Sequence, residues 1–122
     1  MIYPEDWGVV MYADVLITTQ DMINNNPDIV RSFVKATLEG WRYAIEHEEE
    51  ALNVTMKYAE ESSRDHQEYM LRKSIPLIHT GDSELGLMDG TIWQDMITVL
   101  AENSLLKTKL NTTQLYTNEF IN

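Results

Sequence analysis

The stretch Asn26-Pro27-Asp28-Ile29-Val30-Arg31-Ser32-Phe33-Val34-Lys35-Ala36-Thr37-Leu38-Glu39-Gly40-Trp41 decides the fold class. Asn caps free amides, Pro fits the first helical position and Asp complements the positive helix end. Ile29, Val30, Phe33, Val34, Leu38, Trp41 and Ile45 return at helical intervals, while Arg31, Lys35, Glu39, Arg42 and Glu46 take the other side. The spacing predicts a helix over 27–46 whose apolar stripe enters a core. Gly40 costs about 1 kcal/mol of helix propensity, so it is expected to mark close packing by a neighbouring element.

Towards the C-terminus, Glu48-Glu49-Glu50 suits the first turn of a helix over 48–60 with Ala51, Leu52, Met56 and Ala59 inward. Ser62-Ser63 offers a cap for a helix over 64–75, which Pro76 is expected to stop. Residues 77–88 contain Gly81 and Gly86 without a clear period and read as a loop, with a short extended piece at Leu77-Ile78. Asp89 caps a last helix, 90–102, carrying Ile92, Trp93, Met96, Ile97, Val99 and Leu100, with Asn103 as terminator. From Leu105 the chain is polar but keeps Leu110, Leu115, Tyr116 and Phe120, as expected of a tail laid on the body.

Towards the N-terminus, Val15-Leu16-Ile17-Thr18-Thr19 is rich in β-branched residues and predicts one principal strand around 14–19. Thr19 then caps a short helical turn through Ile23, before Asn24-Asn25-Asn26 interrupts it. The class is therefore α/β and mainly helical.

At 122 residues and 43% hydrophobic content, the chain has the size of one domain. Twenty acidic against nine basic residues give a net charge of −11, which repels phosphate backbones and anionic lipid and argues against a nucleic-acid partner. Cysteine is absent, which removes thiolate catalysis and cysteine-bound metal. No basic region followed by an apolar run opens the sequence, so no signal peptide is read there. No stretch approaches the roughly 20 apolar residues of a membrane span, so no membrane insertion is expected.

His47, His66 and His79 lack the spacing that pairs imidazoles on a helix and read as surface or capping residues. There is no phosphate loop and no nucleophile elbow, so neither a catalytic residue nor a cofactor is assigned. The informative region is Tyr3-Pro4-Glu5-Asp6-Trp7-Gly8 followed by Tyr12-Ala13-Asp14, which mixes aromatics and carboxylates just before the expected strand. Aromatic faces stack on a heteroaromatic ring while a carboxylate accepts from its amino group. Trp7 and Tyr12 are accordingly candidate ligand walls and Asp14 a candidate polar anchor. Packing at a domain edge for the aromatics, and a turn-orienting role for Asp14, stand beside that reading.

The ordered set from Tyr3-Pro4-Glu5-Asp6-Trp7-Gly8 through Tyr12–Thr19 and Asn26–Ala36 resembles NMT1/THI5-like solute-binding proteins. Leu38-Glu39-Gly40-Trp41, Gly86-Leu87-Met88-Asp89, Trp93 and Tyr116-Thr117-Asn118-Glu119-Phe120 continue the likeness. The resemblance implies the C-terminal part of a periplasmic-binding-protein type II fold, incomplete on its own, so that 1–122 forms a single partial domain. It also implies capture of a small-molecule solute, such as a thiamine pyrimidine precursor, for an ABC permease or a fused sensor. The parent protein would be periplasmic or otherwise extracytoplasmic, and this chain would pair with a missing N-terminal half or with itself in a homo-oligomer. The pyrimidine-making eukaryotic relatives carry a cysteine-rich motif with no counterpart here, so a non-enzyme is expected. The alternative is a small helical protein-interaction or oligomerisation module without a ligand.

Overall fold

Pro27 opens a twenty-residue helix, with Asp28 in its first turn, as the fixed φ of proline and the helix dipole require. In the computed structural model, residues 4–12, 14–59, 61–78 and 83–121 are described, Pro4 and Glu5 by backbone only. Five α-helices follow in chain order: α1 Gln20–Asn25, α2 Pro27–Glu46, α3 Glu48–Met56, α4 Arg64–Ile78 and α5 Gly90–Glu102. Short 3-10 turns cover Pro4–Trp7 and Thr112–Gln114. The described residues contain no strand, so they are helical and irregular instead of mixed α/β.

The chain divides into two compact units, one of Met1–Pro27 with Met88–Asn122 and one of Asp28–Leu87. In the second unit, α2 runs the length its sequence implies, but its stripe is only partly covered. Val30 and Leu38 are buried, whereas Ile29, Phe33 and Trp41 are exposed, contrary to the expectation that the whole stripe is core. The pattern specifies which face is apolar; how much is covered depends on the elements packed on it. Gly40 also departs from expectation, since a methyl group added there would meet nothing within 4 Å.

His47 breaks the helix between α2 and α3 with φ −128° and ψ 57°. Its ring stacks on Tyr43 at 4.1 Å, and the Tyr43 hydroxyl donates to Glu50 at 2.7 Å. The carboxylate that accepts this proton, with its negative charge, raises the Tyr43 pKa. His47 is exposed and holds the N-cap position of α3, but its side chain makes no capping hydrogen bond there. His66 is an exposed residue of α4, and His79 and Gly81 lie outside the described residues.

The α3 helix ends at Met56, earlier than expected; residue 60 lies outside the described residues. Its inner face carries the buried Leu52 and packs against α4. The amide of His66 donates to the Ser63 hydroxyl at 3.3 Å, so the serine pair does cap α4. Pro76 does not stop that helix, which reaches Ile78, so Leu77-Ile78 is helical and not extended. Proline forfeits its own donor, but the two described residues beyond it still have carbonyls four positions back.

In the first unit, Thr19 caps α1 by accepting from the Met22 amide at 3.1 Å. The helix runs through Asn24 and Asn25, and the asparagine run ends it only at Asn26. The preceding run, 14–19, is irregular, with Ile17 exposed to 89%. β-branched residues favour a strand only where a neighbouring strand supplies hydrogen bonds and cross-strand contacts, and none does so among the described residues.

Asp89 caps α5 through the Thr91 amide, and Asn103 is its C-cap, both as the sequence implies. Beyond it Ser104 adopts φ 59°, while the Leu105 amide donates to the Leu100 carbonyl at 2.9 Å and the Ser104 amide to that of Ala101 at 3.0 Å. This is a Schellman ending with serine where glycine is preferred. The tail then returns to α5 through its 3-10 turn and buries Phe120.

Two opposite backbone substitutions should therefore both stabilise the chain. Gly40→Ala gains helix propensity in open space, and Ser104→Gly relieves a left-handed conformation, each by roughly 0.5–1 kcal/mol. Thermal denaturation followed by circular dichroism should show a raised midpoint for each; a lowered one at Gly40 would mean that a neighbour fills that space.

Candidate functional site

Residues 9–12 and 14–19 have no regular structure, so Tyr12 owes its placement to side-chain and backbone contacts from elsewhere. All three contacts come from α5 or its cap. The Tyr12 amide donates to Met96 Sδ at 3.4 Å, its hydroxyl accepts from the Asp89 amide at 2.7 Å, and its ring lies 5.7 Å from Trp93, tilted by 46°. Trp93 in turn stacks on Tyr116 with centroids 5.8 Å apart and planes within 6°. Tyr12, Trp93 and Tyr116 thus form a row of three rings.

The row is fixed at its far end by the tail. The Met88 amide donates to Asn118 Oδ1 at 3.0 Å, and Asn118 Nδ2 donates back to the Met88 carbonyl at 2.9 Å. Tyr116 approaches the start of α5 closely enough that a methyl group on Gly90 would come within 2.8 Å of its hydroxyl. The Trp93 indole N–H is buried without a hydrogen-bond partner among the described residues. Asp89 sits where the two ends of the row meet the helix. Its carboxylate accepts from the Thr91 amide at 2.7 Å and the Thr91 hydroxyl at 2.8 Å, and these bonds, the backbone one foremost, lower its pKa.

The other two residues singled out from the sequence stand apart from this row. Trp7 ends the first 3-10 turn, followed by Gly8 at φ 75°, and is exposed to 79%. Asp14 is exposed. Among the described residues, no hydrogen bond, ion pair or ring contact joins either to Tyr12. Trp93 and Tyr116 were read only as a core position and a tail contact. Their pairing with Tyr12 joins positions far apart in sequence, which periodicity cannot register.

Two shallow cavities lie in the unit of residues 28–87. One, of about 260 Å³, is lined by Arg42, Ile45, Glu46, Glu84 and Leu85, with Arg42 paired to Glu84 at 3.5 Å. The other, of about 250 Å³, lies where α3 meets α4 and is lined by Glu48, Glu49, Leu52, Glu68, Leu71 and Arg72. Arg72 pairs there with Glu48 at 3.6 Å and with Glu68 at 2.8 Å. Neither cavity includes Trp7, Tyr12 or Asp14. Among the described residues no cluster of His, Asp or Glu has the arrangement of a metal site, and no helix is long and apolar enough to cross a membrane.

The family described as NMT1/THI5 like matches residues 1–51, the span that contains Trp7, Tyr12 and Asp14, in agreement with the resemblance of the sequence motifs. A riboflavin-binding protein from Chloroflexus aurantiacus is 27% identical over 93% of this chain and 36% of its own length. A formylaminopyrimidine-binding protein from Halalkalibacterium halodurans is 25% identical over 85% of this chain and 33% of its own length. The chain thus spans about a third of the length of these relatives, both of which are named for binding a molecule and neither for a reaction. No solved structure matches the chain significantly.

The geometry around Gly90 and Asp89 makes two predictions. Gly90→Ala should destabilise the protein by displacing the Tyr116 hydroxyl, and should do so less in a Tyr116→Phe background; a double-mutant cycle by thermal denaturation gives the difference. Equal effects in both backgrounds would show that the hydroxyl is not what an alanine meets. Because the folded Asp89 pKa lies below its unfolded value, its contribution is present above the ordinary carboxylate range and is lost as pH falls through the folded value. Asp89→Asn keeps the cap and should flatten the loss of helical signal in that acid range, relative to wild type.

Proposed function

We propose that this chain takes part in capturing a small heteroaromatic solute, as part of an extracytoplasmic binding protein that serves an ABC permease. The observation that carries the reading is the likeness, along nearly the whole chain, to two binding proteins whose named ligands are a flavin and a substituted pyrimidine. Both are flat nitrogen heterocycles with polar edges. Such ligands call for aromatic faces and a few directed polar groups. On this reading residues 1–122 act as one partial domain of a periplasmic-binding-protein type II fold, with Trp7 and Tyr12 as aromatic walls and Asp14 as the polar anchor.

The chemistry of each residue suits its role. Trp7 presents an exposed indole, the side chain with the largest stacking surface. Tyr12 already uses its hydroxyl on the Asp89 amide, leaving its ring as the part able to meet a ligand. Asp14 is an exposed carboxylate suited to accept from an exocyclic amine.

Calorimetric titration of the protein with riboflavin and with a formylaminopyrimidine tests this. Saturable binding of at least one is expected. Asp14→Asn should weaken the amine-bearing pyrimidine about tenfold while leaving the melting temperature nearly unchanged. Wild-type affinity in both Asp14→Asn and Tyr12→Ala, with a large stability loss in either, would mean that these residues build the domain edge. Failure of both solutes to bind, together with concentration-dependent self-association, would favour the interaction-module reading.

A further inference from the structure

We infer that Trp93 and Tyr116 are positioning residues for Tyr12, and that the C-terminal tail is the brace that holds the ligand wall in place. The inference rests on the reading of Tyr12 as that wall. Tyr12 lies in an irregular segment, where a side chain has no fixed direction of its own. Its ring is aimed by a hydroxyl bond to the Asp89 amide and by the Trp93 face.

Trp93 cannot do this alone, since an indole on a helix surface retains rotamer freedom unless its other side is packed. Tyr116 supplies that packing with a near-parallel ring. Tyr116 is itself held because Asn118, two residues on, exchanges two hydrogen bonds with Met88, and the absence of a side chain at Gly90 clears room for its hydroxyl. The line of constraint runs from Asn118 through Tyr116 and Trp93 to Tyr12, entirely within one compact unit.

The unpartnered indole N–H of Trp93 strengthens the case. A buried donor without an acceptor is unfavourable, and a phenyl ring would avoid that. An indole kept there in spite of that matches its place between two tyrosine rings.

The test compares wild type, Tyr116→Leu, Tyr116→Phe, Asn118→Ala, Tyr12→Phe and Tyr12→Ala, each checked for native circular dichroism. Two quantities are read well below the melting temperature: riboflavin and formylaminopyrimidine affinity, and hydrogen exchange of the Asp89 amide, whose acceptor is the Tyr12 hydroxyl. Tyr116→Leu should speed Asp89 exchange towards the rate in Tyr12→Phe and weaken binding about tenfold, through lost preorganisation. Tyr116→Phe, which keeps the stacked ring, should restore both, and Asn118→Ala should reproduce a milder form without altering any ring.

If Tyr116→Leu and Asn118→Ala melt earlier yet keep wild-type exchange at Asp89 and wild-type affinity, while Tyr12→Ala has lost binding, the brace is overturned and the pocket reading stands. If Tyr12→Ala binds as wild type, or neither solute binds the wild type, the pocket reading fails and the brace loses its ligand role with it. Should Tyr116→Leu not fold, Asn118→Ala decides by the same two quantities.

Discussion

The hydrogen bond from the Asp89 amide to the Tyr12 hydroxyl spans 77 positions of sequence and joins the N-terminal segment to the last helix of the first unit. It is made at the N-cap of α5, where amides lack helical partners and an outside acceptor has most value. The Asp89 carboxylate meanwhile serves the Thr91 amide and hydroxyl, so one residue caps its helix with its side chain and ties down the N-terminal segment with its backbone. With the Met96 and Trp93 contacts, that tie docks Tyr12 in a segment without secondary structure of its own.

The second unit is organised differently. Leu52 is its most buried side chain, and around it the contacts joining α3 to α4 are ion pairs of half-exposed groups, including Arg72 with Glu48 and Arg64 with Glu49. Exposed pairs of this kind contribute about 0–1 kcal/mol each, so they set register more than stability. Tyr43, bonded to Glu50 and stacked on His47, does similar work at the bend between α2 and α3.

What could be read from the sequence was what is local. Thr19, Ser63 and Asp89 were legible as caps because a cap requires only a short polar side chain before an apolar period, and Pro27 because proline suits a first turn. The stretch 14–19 was misread because strand propensity describes what a segment would do beside a partner strand, and a single sequence does not supply the partner. Phe33 and Trp41 lie on the apolar face of α2 that periodicity identifies, yet they are exposed, since coverage is a property of packing. Pro76 misled for a related reason: proline forfeits one donor, and the described helix continues past it to Ile78. Of the candidate site, residue types were legible and neighbours were not. Tyr12 was picked out, but Trp93 and Tyr116 reached it only through the fold.

Charge also bears on where a flat solute would sit. The cavity where α3 meets α4 is lined by three glutamates and an arginine already engaged with two of them, so an uncharged ring entering it would desolvate carboxylates without offering them partners. The cavity beside Arg42 and Glu84 has the same defect, since its one cation is already paired. The N-terminal segment carries the opposite balance: the exposed indole of Trp7, a tyrosine ring whose hydroxyl is spoken for, and an exposed carboxylate at Asp14. Stacking on such faces exchanges apolar surface for apolar surface and leaves polar edges of the solute for directed bonds. On the proposed reading, a solute of the flavin or pyrimidine kind would therefore match this segment better than either cavity.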